Sequence, residues 1–167
     1  YDLVTFGTAA IYVTGDKEGL QFSSRHIAEI YISQNAKDQV DTVYRRFKLT
    51  ARAMEQQFGA DALPAQCIKD LKEEPYKEHE VIHVVFPRAD AKGKLAKAKP
   101  FASIYYHADS RKLLSEGGYD ELCFMVPRFN KDSSSSYGRS VSMNALPDTK
   151  MLNKMSEVTI RAAQKQI

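Results

Sequence analysis

Tryptophan is absent from this sequence, cysteine occurs twice, and neither sign of charge prevails, since 24 Lys and Arg stand against 21 Asp and Glu for a net +3. Each shortage excludes something. Cys67 and Cys123 lack a C-x-x-C spacing, so they do not make a disulfide framework and read as reduced, buried thiols of an intracellular protein. So small an excess of positive charge excludes a general nucleic-acid binder or a membrane-surface protein, and any such role must be local. The longest apolar runs, Val81 to Phe86 and Leu122 to Val126, fall far short of the roughly 20 residues of a spanning helix. Gly7, Gly15 and Gly19 form neither a P-loop nor a dinucleotide fingerprint, no serine sits in a G-x-S-x-G elbow, and neither cysteine has an evident histidine partner. Enzyme readings are therefore weak. The chain begins at Tyr1 without Met and stops at Ile167 inside a helical pattern, so it is expected to be a piece of a longer protein, and missing targeting signals say little.

What is present is the composition of a soluble globular protein, 43% hydrophobic and 27% charged over 167 residues. That length suits one domain or two small lobes sharing a core. The pattern predicts an α+β fold. Leu3 to Val13 reads as a strand, or as an apolar helix end running into one. Gly15-Asp16 and Gly19 mark a turn into Leu20 to Ser23, which alternates as a half-buried strand and completes a hairpin. Ile27 to Ile32 alternates less cleanly, and Val40 to Leu49 is the best strand of the first half. Thr50 suits the N-cap of a helix over Ala51 to Phe58, ended by Gly59. A second helix, Pro64 to Lys72, sets Cys67, Ile68 and Leu71 on one face before Pro75.

Val81 to Phe86, Phe101 to His107 and Leu122 to Val126 are expected to form a three-stranded sheet, with Gly117-Gly118 as a turn. Pro127 to Tyr137, with four consecutive serines, is expected to be a loop. Pro147 to Ile167 is expected to form the longest helix, with Pro147 in its first turn and Asp148 at the positive end of its dipole.

The sharpest local motif is His79-Glu80-Val81-Ile82-His83, a literal H-E-x-x-H. Zinc hydrolysis with it needs a helix, where residues four apart share a face and rise only about 6 Å. On a strand the two histidines share a face but stand roughly 13 Å apart, too far for one ion. Val81, Ile82 and the following Val84-Val85-Phe86 favour the strand. The metallohydrolase therefore stands only as an alternative, with His79 and His83 as ligands and Glu116, Glu121 or His107 as a third. Lys92, Lys94, Lys97 and Lys99 lie on a loop between strands, where they suit contact with phosphates, although no aromatic residues for base stacking are interleaved. The plainer reading is a solvated loop whose charges discourage edge pairing.

Tyr137-Gly138-Arg139-Ser140, then Ala145-Leu146-Pro147-Asp148, Lys150 and Leu152-Asn153, resemble the pattern that opens a long helix in the head-to-tail connector, or portal, proteins of short-tailed bacteriophages. Phe6 to Ala10, Val40 to Arg45, Leu49 to Arg52, Gln57 to Gly59, Val85 to Arg88, Pro100 to Ser103 and Arg161 to Lys165 agree in the same order. Val141 and Thr149 depart from the family pattern, which usually has a proline and an apolar residue there. The resemblance implies a non-enzymatic ring without cofactors, commonly of twelve subunits, at one capsid vertex of the virion. It would be assembled in the bacterial host cytoplasm, away from membrane, and double-stranded DNA would pass through it. By this analogy residues 1–49 are a wing-like β lobe, 50–74 a stem-like helical segment, 75–130 a clip-like sheet that docks terminase and tail adaptors, and 131–167 a linker and stem-like helix. Tyr137, Gly138, Arg139, Leu146, Pro147, Asp148, Leu152 and Asn153 would serve subunit packing, and the four lysines DNA or an acidic partner.

Overall fold

A computed structural model describes residues 1–16, 19–90 and 99–165. The chain divides into two compact units, one of residues Ala10–Val126 and one made of Tyr1–Ala9 with Pro127–Ile167. The fold is α+β, as expected.

In the first unit, β1 (Ala10–Asp16) and β2 (Gly19–Arg25) form the expected hairpin, pairing from Ala10 opposite Arg25 to Asp16 opposite Gly19. The alternation in β2 does not bury its apolar side, for Leu20 and Phe22 are both exposed. Next come β3 (Ile30–Gln34), β4 (Val40–Thr50), the helices α2 (Ala51–Phe58) and α3 (Ala65–Glu73), then β5 (Glu78–Pro87), β6 (Phe101–His107) and β7 (Leu113–Tyr119). These five strands make one antiparallel sheet in sequence order. It takes β3 and β4 from the stretch expected to be wing-like and the other three from the stretch expected to be clip-like.

This corrects the expected three-stranded sheet in two ways. Gly117-Gly118 lies inside β7 rather than at a turn. A Cβ at Gly118 would stand 2.6 Å from Cβ of Lys99 and 2.8 Å from the Phe101 carbonyl oxygen, so the glycine marks a close approach within a strand. Leu122 to Val126 contributes only the short β8 (Phe124–Met125), which pairs with β1 instead of β6.

Strand register decides how the sheet is covered. Side chains alternate across a strand, so Val43, Arg45, Phe47 and Leu49 of β4 share a face with Val85, His83, Val81 and His79 of β5. At one end this face meets β1 and β8, and Val43 and Val85 pack with Ala10, Ile30, Cys123 and Phe124. At the other it meets α2 and α3, where Val81 packs with Met54, Leu63, Cys67 and Leu114. Leu114 reaches this core through the register shift between Tyr105 and Tyr106. The α2 start is as expected, since Thr50 Oγ1 accepts the Ala53 N–H at 3.3 Å.

The second unit holds α1 (Asp2–Phe6), the two-residue strands β9 (Asn130–Lys131) and β10 (Gly138–Arg139), and α4 (Val141–Gln164). The segment from Leu3 is thus a helix followed by a strand. Strand β9 falls within the expected loop of Pro127 to Tyr137, and its partner β10 follows directly after that loop. The long helix starts six residues before Pro147, so Pro147 and Asp148 lie inside it rather than in its first turn.

Candidate functional site

The start of α4 is fixed by Ser140, which is fully buried. Its Oγ accepts the Met143 N–H at 2.9 Å, capping the helix, and donates to the Thr5 carbonyl at 2.7 Å, tying α4 to α1. Gly138 donates its N–H to Thr8 Oγ1 at 2.8 Å. A Cβ there would stand 2.2 Å from the Gly7 carbonyl oxygen, so only glycine fits. Gly7 itself has φ +77° and ends α1 in the left-handed conformation. Arg139 lies opposite Asn130 in the small ladder, and Tyr137 precedes it on the edge of exposure.

Beyond this anchor, α4 buries none of its residues. Met151, Met155, Val158 and Ala162 follow one another at spacings of four, three and four, which makes a single apolar stripe, and Leu152 extends it. Leu146 and Ile160, fourteen residues apart, fall on the opposite side. Met151, Leu152 and Met155 are 57%, 59% and 59% exposed. Pro147, Asp148 and Asn153 are exposed as well. A helix of 24 residues with apolar side chains on two sides is the kind that stands between neighbours.

The H-E-x-x-H motif lies on β5, the strand its sequence favours. His79 and His83 are buried on one face, whereas Glu80 lies on the other and holds Arg46 in a two-pronged ion pair at 2.6 and 2.7 Å. One ion and one general base cannot be assembled from this motif, because the histidines are roughly 13 Å apart along the strand. Of the third ligands considered, Glu116 approaches Arg88 at 3.7 Å and Glu121 is exposed.

His83 is held as a neutral ring. Its Nε2 meets Ser103 Oγ at 2.9 Å, and the ring stacks on Tyr105 at 3.9 Å with an interplanar angle of 3°. Burial, with Arg45 and Arg25 adding repulsion, pushes its pKa down to about 3. It borders a cleft of about 360 Å³ whose rim carries Arg25, Arg45 and Lys48. Arg45 and Lys48 are already matched there by Glu29 at 2.9 Å and Glu78 at 3.2 Å.

His79 belongs to a different group. Cys67 of α3, His79 at the start of β5 and His107 at the end of β6 bring their ligand atoms within 4.8 Å of one another, all three buried. Asp70, one helical turn after Cys67, is buried too. Its Oδ1 accepts from Lys77 Nζ at 2.9 Å, and its Oδ2 lies 3.2 Å from His79 Nε2. That approach is not aligned as a hydrogen bond, and Asp70 Oδ2, His79 Nε2 and His107 Nε2 are left without one. Of this group the sequence pointed to His79 and His107 together in the metallohydrolase alternative, to Cys67 only as a buried thiol, and to Asp70 not at all. Of the four lysines, Lys92, Lys94 and Lys97 lie outside the described residues. Lys99 Nζ is held by Asp120.

The family described as bacteriophage head to tail connecting protein matches residues 1–167. The chain belongs to that family. It is 34% identical over 158 residues to the portal protein of Salmonella phage epsilon15, and 30% identical over 158 residues to a probable portal protein of Bordetella phage BPP-1. Each alignment covers 90% of this chain and 28% of the relative, so the chain spans little more than a quarter of the length of these portal proteins. Within this connector-family chain the Tyr-Gly-Arg-Ser segment has a physical account. Gly138 is a steric requirement and Ser140 a helix cap, and together they fix where α4 begins. No helix among the described residues is long and apolar enough to cross a membrane.

Proposed function

We propose that this chain is part of a structural, non-enzymatic subunit of a phage portal ring, set at the capsid vertex of the virion. Double-stranded DNA passes through the ring, and terminase and then tail adaptors dock on it. The observation that carries the reading is α4. Its apolar side chains on two sides are uncovered in the single chain, and a head-to-tail ring supplies each subunit with a neighbour on either side. In this reading α4 is a stem-like helix packed between copies, with Met151, Leu152 and Met155 toward one neighbour and Leu146 and Ile160 toward the other. Lys92, Lys94, Lys97 and Lys99 then supply positive charge for passing DNA or an acidic docking partner. The grip must be weak, because phosphate contacts repeated around a ring would resist translocation. Assembly takes place in the host cytoplasm before the capsid is filled.

Native mass spectrometry of the full-length protein tests this. A closed species of about a dozen subunits is expected, in keeping with the symmetric closure of a heterologous interface. A protein that stays monomeric or dimeric at every concentration tried would overturn the ring.

A further inference from the structure

We propose that Cys67, His79 and His107 form a structural site for a tetrahedral divalent cation of the zinc type, with Asp70 beside His79 as an outer carboxylate. The donor set is one sulfur and two imidazole nitrogens, a mixture that suits zinc. Tetrahedral bonds of about 2.0 Å to nitrogen and oxygen place neighbouring ligand atoms about 3.3 Å apart. The ligand atoms of Cys67, His79 and His107 lie within 4.8 Å of one another, close enough to draw in to that spacing around an ion. His79 Nε2 and His107 Nε2 are without hydrogen-bond partners, and Asp70 Oδ2, 3.2 Å from His79 Nε2, is likewise unpaired by a hydrogen bond. Three polar atoms left without partners within one cluster call for a ligand, since buried polar groups are as a rule satisfied.

The fold delivers the ligands from rigid elements. Cys67 and Asp70 are three apart on α3 and both face inward, while Val81 pairs with His107 and so sets the end of β6 beside the start of β5. The rings of His79 and His107 lie 5.5 Å apart between centroids. Outer contacts orient both ends of the set. Lys77 holds the other oxygen of Asp70, and Ser110 Oγ sits 3.0 Å from His107 Nδ1. Without metal the Ser110 N–H also reaches Nδ1, at 3.1 Å, which places the ring proton on Nε2. Metal binding at Nε2 releases that proton, and the ring takes one at Nδ1 for donation to Ser110 Oγ. The amide of Ser110, an exposed residue, turns to water. The Cys67 thiol loses its proton to solvent as the sulfur–metal bond forms. The thiolate, with the Asp70 carboxylate alongside, then balances the divalent ion, so the loaded site buries no net charge. With all three ligands buried, the site clasps α3 to the sheet and is closed to substrate.

The test is a Co²⁺ titration of the full-length protein, made without a polyhistidine tag and stripped with a chelator. Expected are one equivalent per chain, a thiolate-to-cobalt charge-transfer band with tetrahedral d–d bands, and displacement by Zn²⁺. Cys67→Ser removes the charge-transfer band and His107→Gln removes stoichiometric binding, while His83→Gln changes neither. Ser110→Ala, at an exposed position that leaves the core intact, weakens Zn²⁺ binding about tenfold by freeing the His107 ring. If the core variants fail to fold, the wild-type spectrum and Ser110→Ala decide. A wild-type protein without a thiolate–cobalt band, or an affinity unmoved by Ser110→Ala, overturns the site. The ring is judged separately by mass, so either proposal can fail alone.

Discussion

The sheet unit and the long helix hold opposite relations to their own apolar side chains. Met54 in α2 is fully buried among Leu63, Cys67, Val81 and Leu114, whereas Met155 in α4 is 59% exposed. The two residues are the same, so the difference lies in what the chain provides around them. The sheet covers one face with two sets of elements and closes a core from local means. Helix α4 is tied at its first turn, through Ser140 to Thr5 and Ser142 to Val4, and beyond it extends a surface of methionine, leucine and isoleucine that the described residues leave exposed. In the sheet unit, then, burial within the chain sets stability. In α4, under the proposed ring, exposure within the chain sets what a neighbouring copy covers.

The largest blow to this contrast comes from Met54→Ala. Truncating a fully buried methionine leaves a cavity that the sheet and two helices cannot collapse into, at a cost of about 2–5 kcal/mol. A urea melt followed by far-ultraviolet circular dichroism should show the midpoint fall accordingly. A loss within the experimental error would mean that this core is loosely packed and the comparison misdrawn.

Acid should act on the same unit next, and by a different route. His83 has its pKa lowered from 6.5 to about 3, so between those values the unfolded chain binds a proton that the folded chain refuses. The associated stability is therefore complete above about pH 6.5 and is lost as pH falls toward 3, at about 1.4 kcal/mol per pH unit across the middle of the window. Arg25, Arg45, Tyr12 and Tyr105 surround the ring, and Glu29 faces Arg45 at 2.9 Å without reversing the downward shift. His83→Gln should flatten this part of the stability profile between pH 7 and pH 4, and an unchanged slope would show that the acid sensitivity resides elsewhere. Helix α4 has no histidine to add to it.

Sequence showed the elements whose signals are local. The cap at Thr50, the helices α2 and α3, strand β4 and the placement of H-E-x-x-H on a strand each follow from residues within a turn or two. The apolar stripe of α4 was legible too, but its start was not. Proline is favoured in a first turn, and that preference pointed to Pro147, while Ser140 caps the helix through the Met143 N–H and is held there by the Thr5 carbonyl, 135 residues away. Strand β7 was hidden for a similar reason. Gly117-Gly118 carries a turn signal, and what overrides it is the close approach of Lys99 and Phe101, invisible without the fold. The group of Cys67, Asp70, His79 and His107 is the extreme case. No spacing relates a helix to the far ends of two strands, so only the register of β5 and β6 brings it together.

The finest test of the contrast should leave the chain's own stability almost unmoved. Met151→Ser with Met155→Ser removes the centre of the α4 stripe, where neither side chain has a covering neighbour within the chain. Exposed substitutions of this kind usually fall within about 0.5 kcal/mol, and the lower helix propensity of serine adds a few tenths per site. The urea midpoint of the disassembled subunit should therefore stay close to that of the unaltered protein, while the population of closed rings seen by native mass spectrometry falls sharply. Rings that persist would place the subunit contact on the Leu146 and Ile160 side alone, and the same pair of substitutions made there would then have to dissolve them. A large drop in the midpoint of the lone subunit would mean instead that α4 is held by its own chain, and the difference between Met54 and Met155 would lose its meaning.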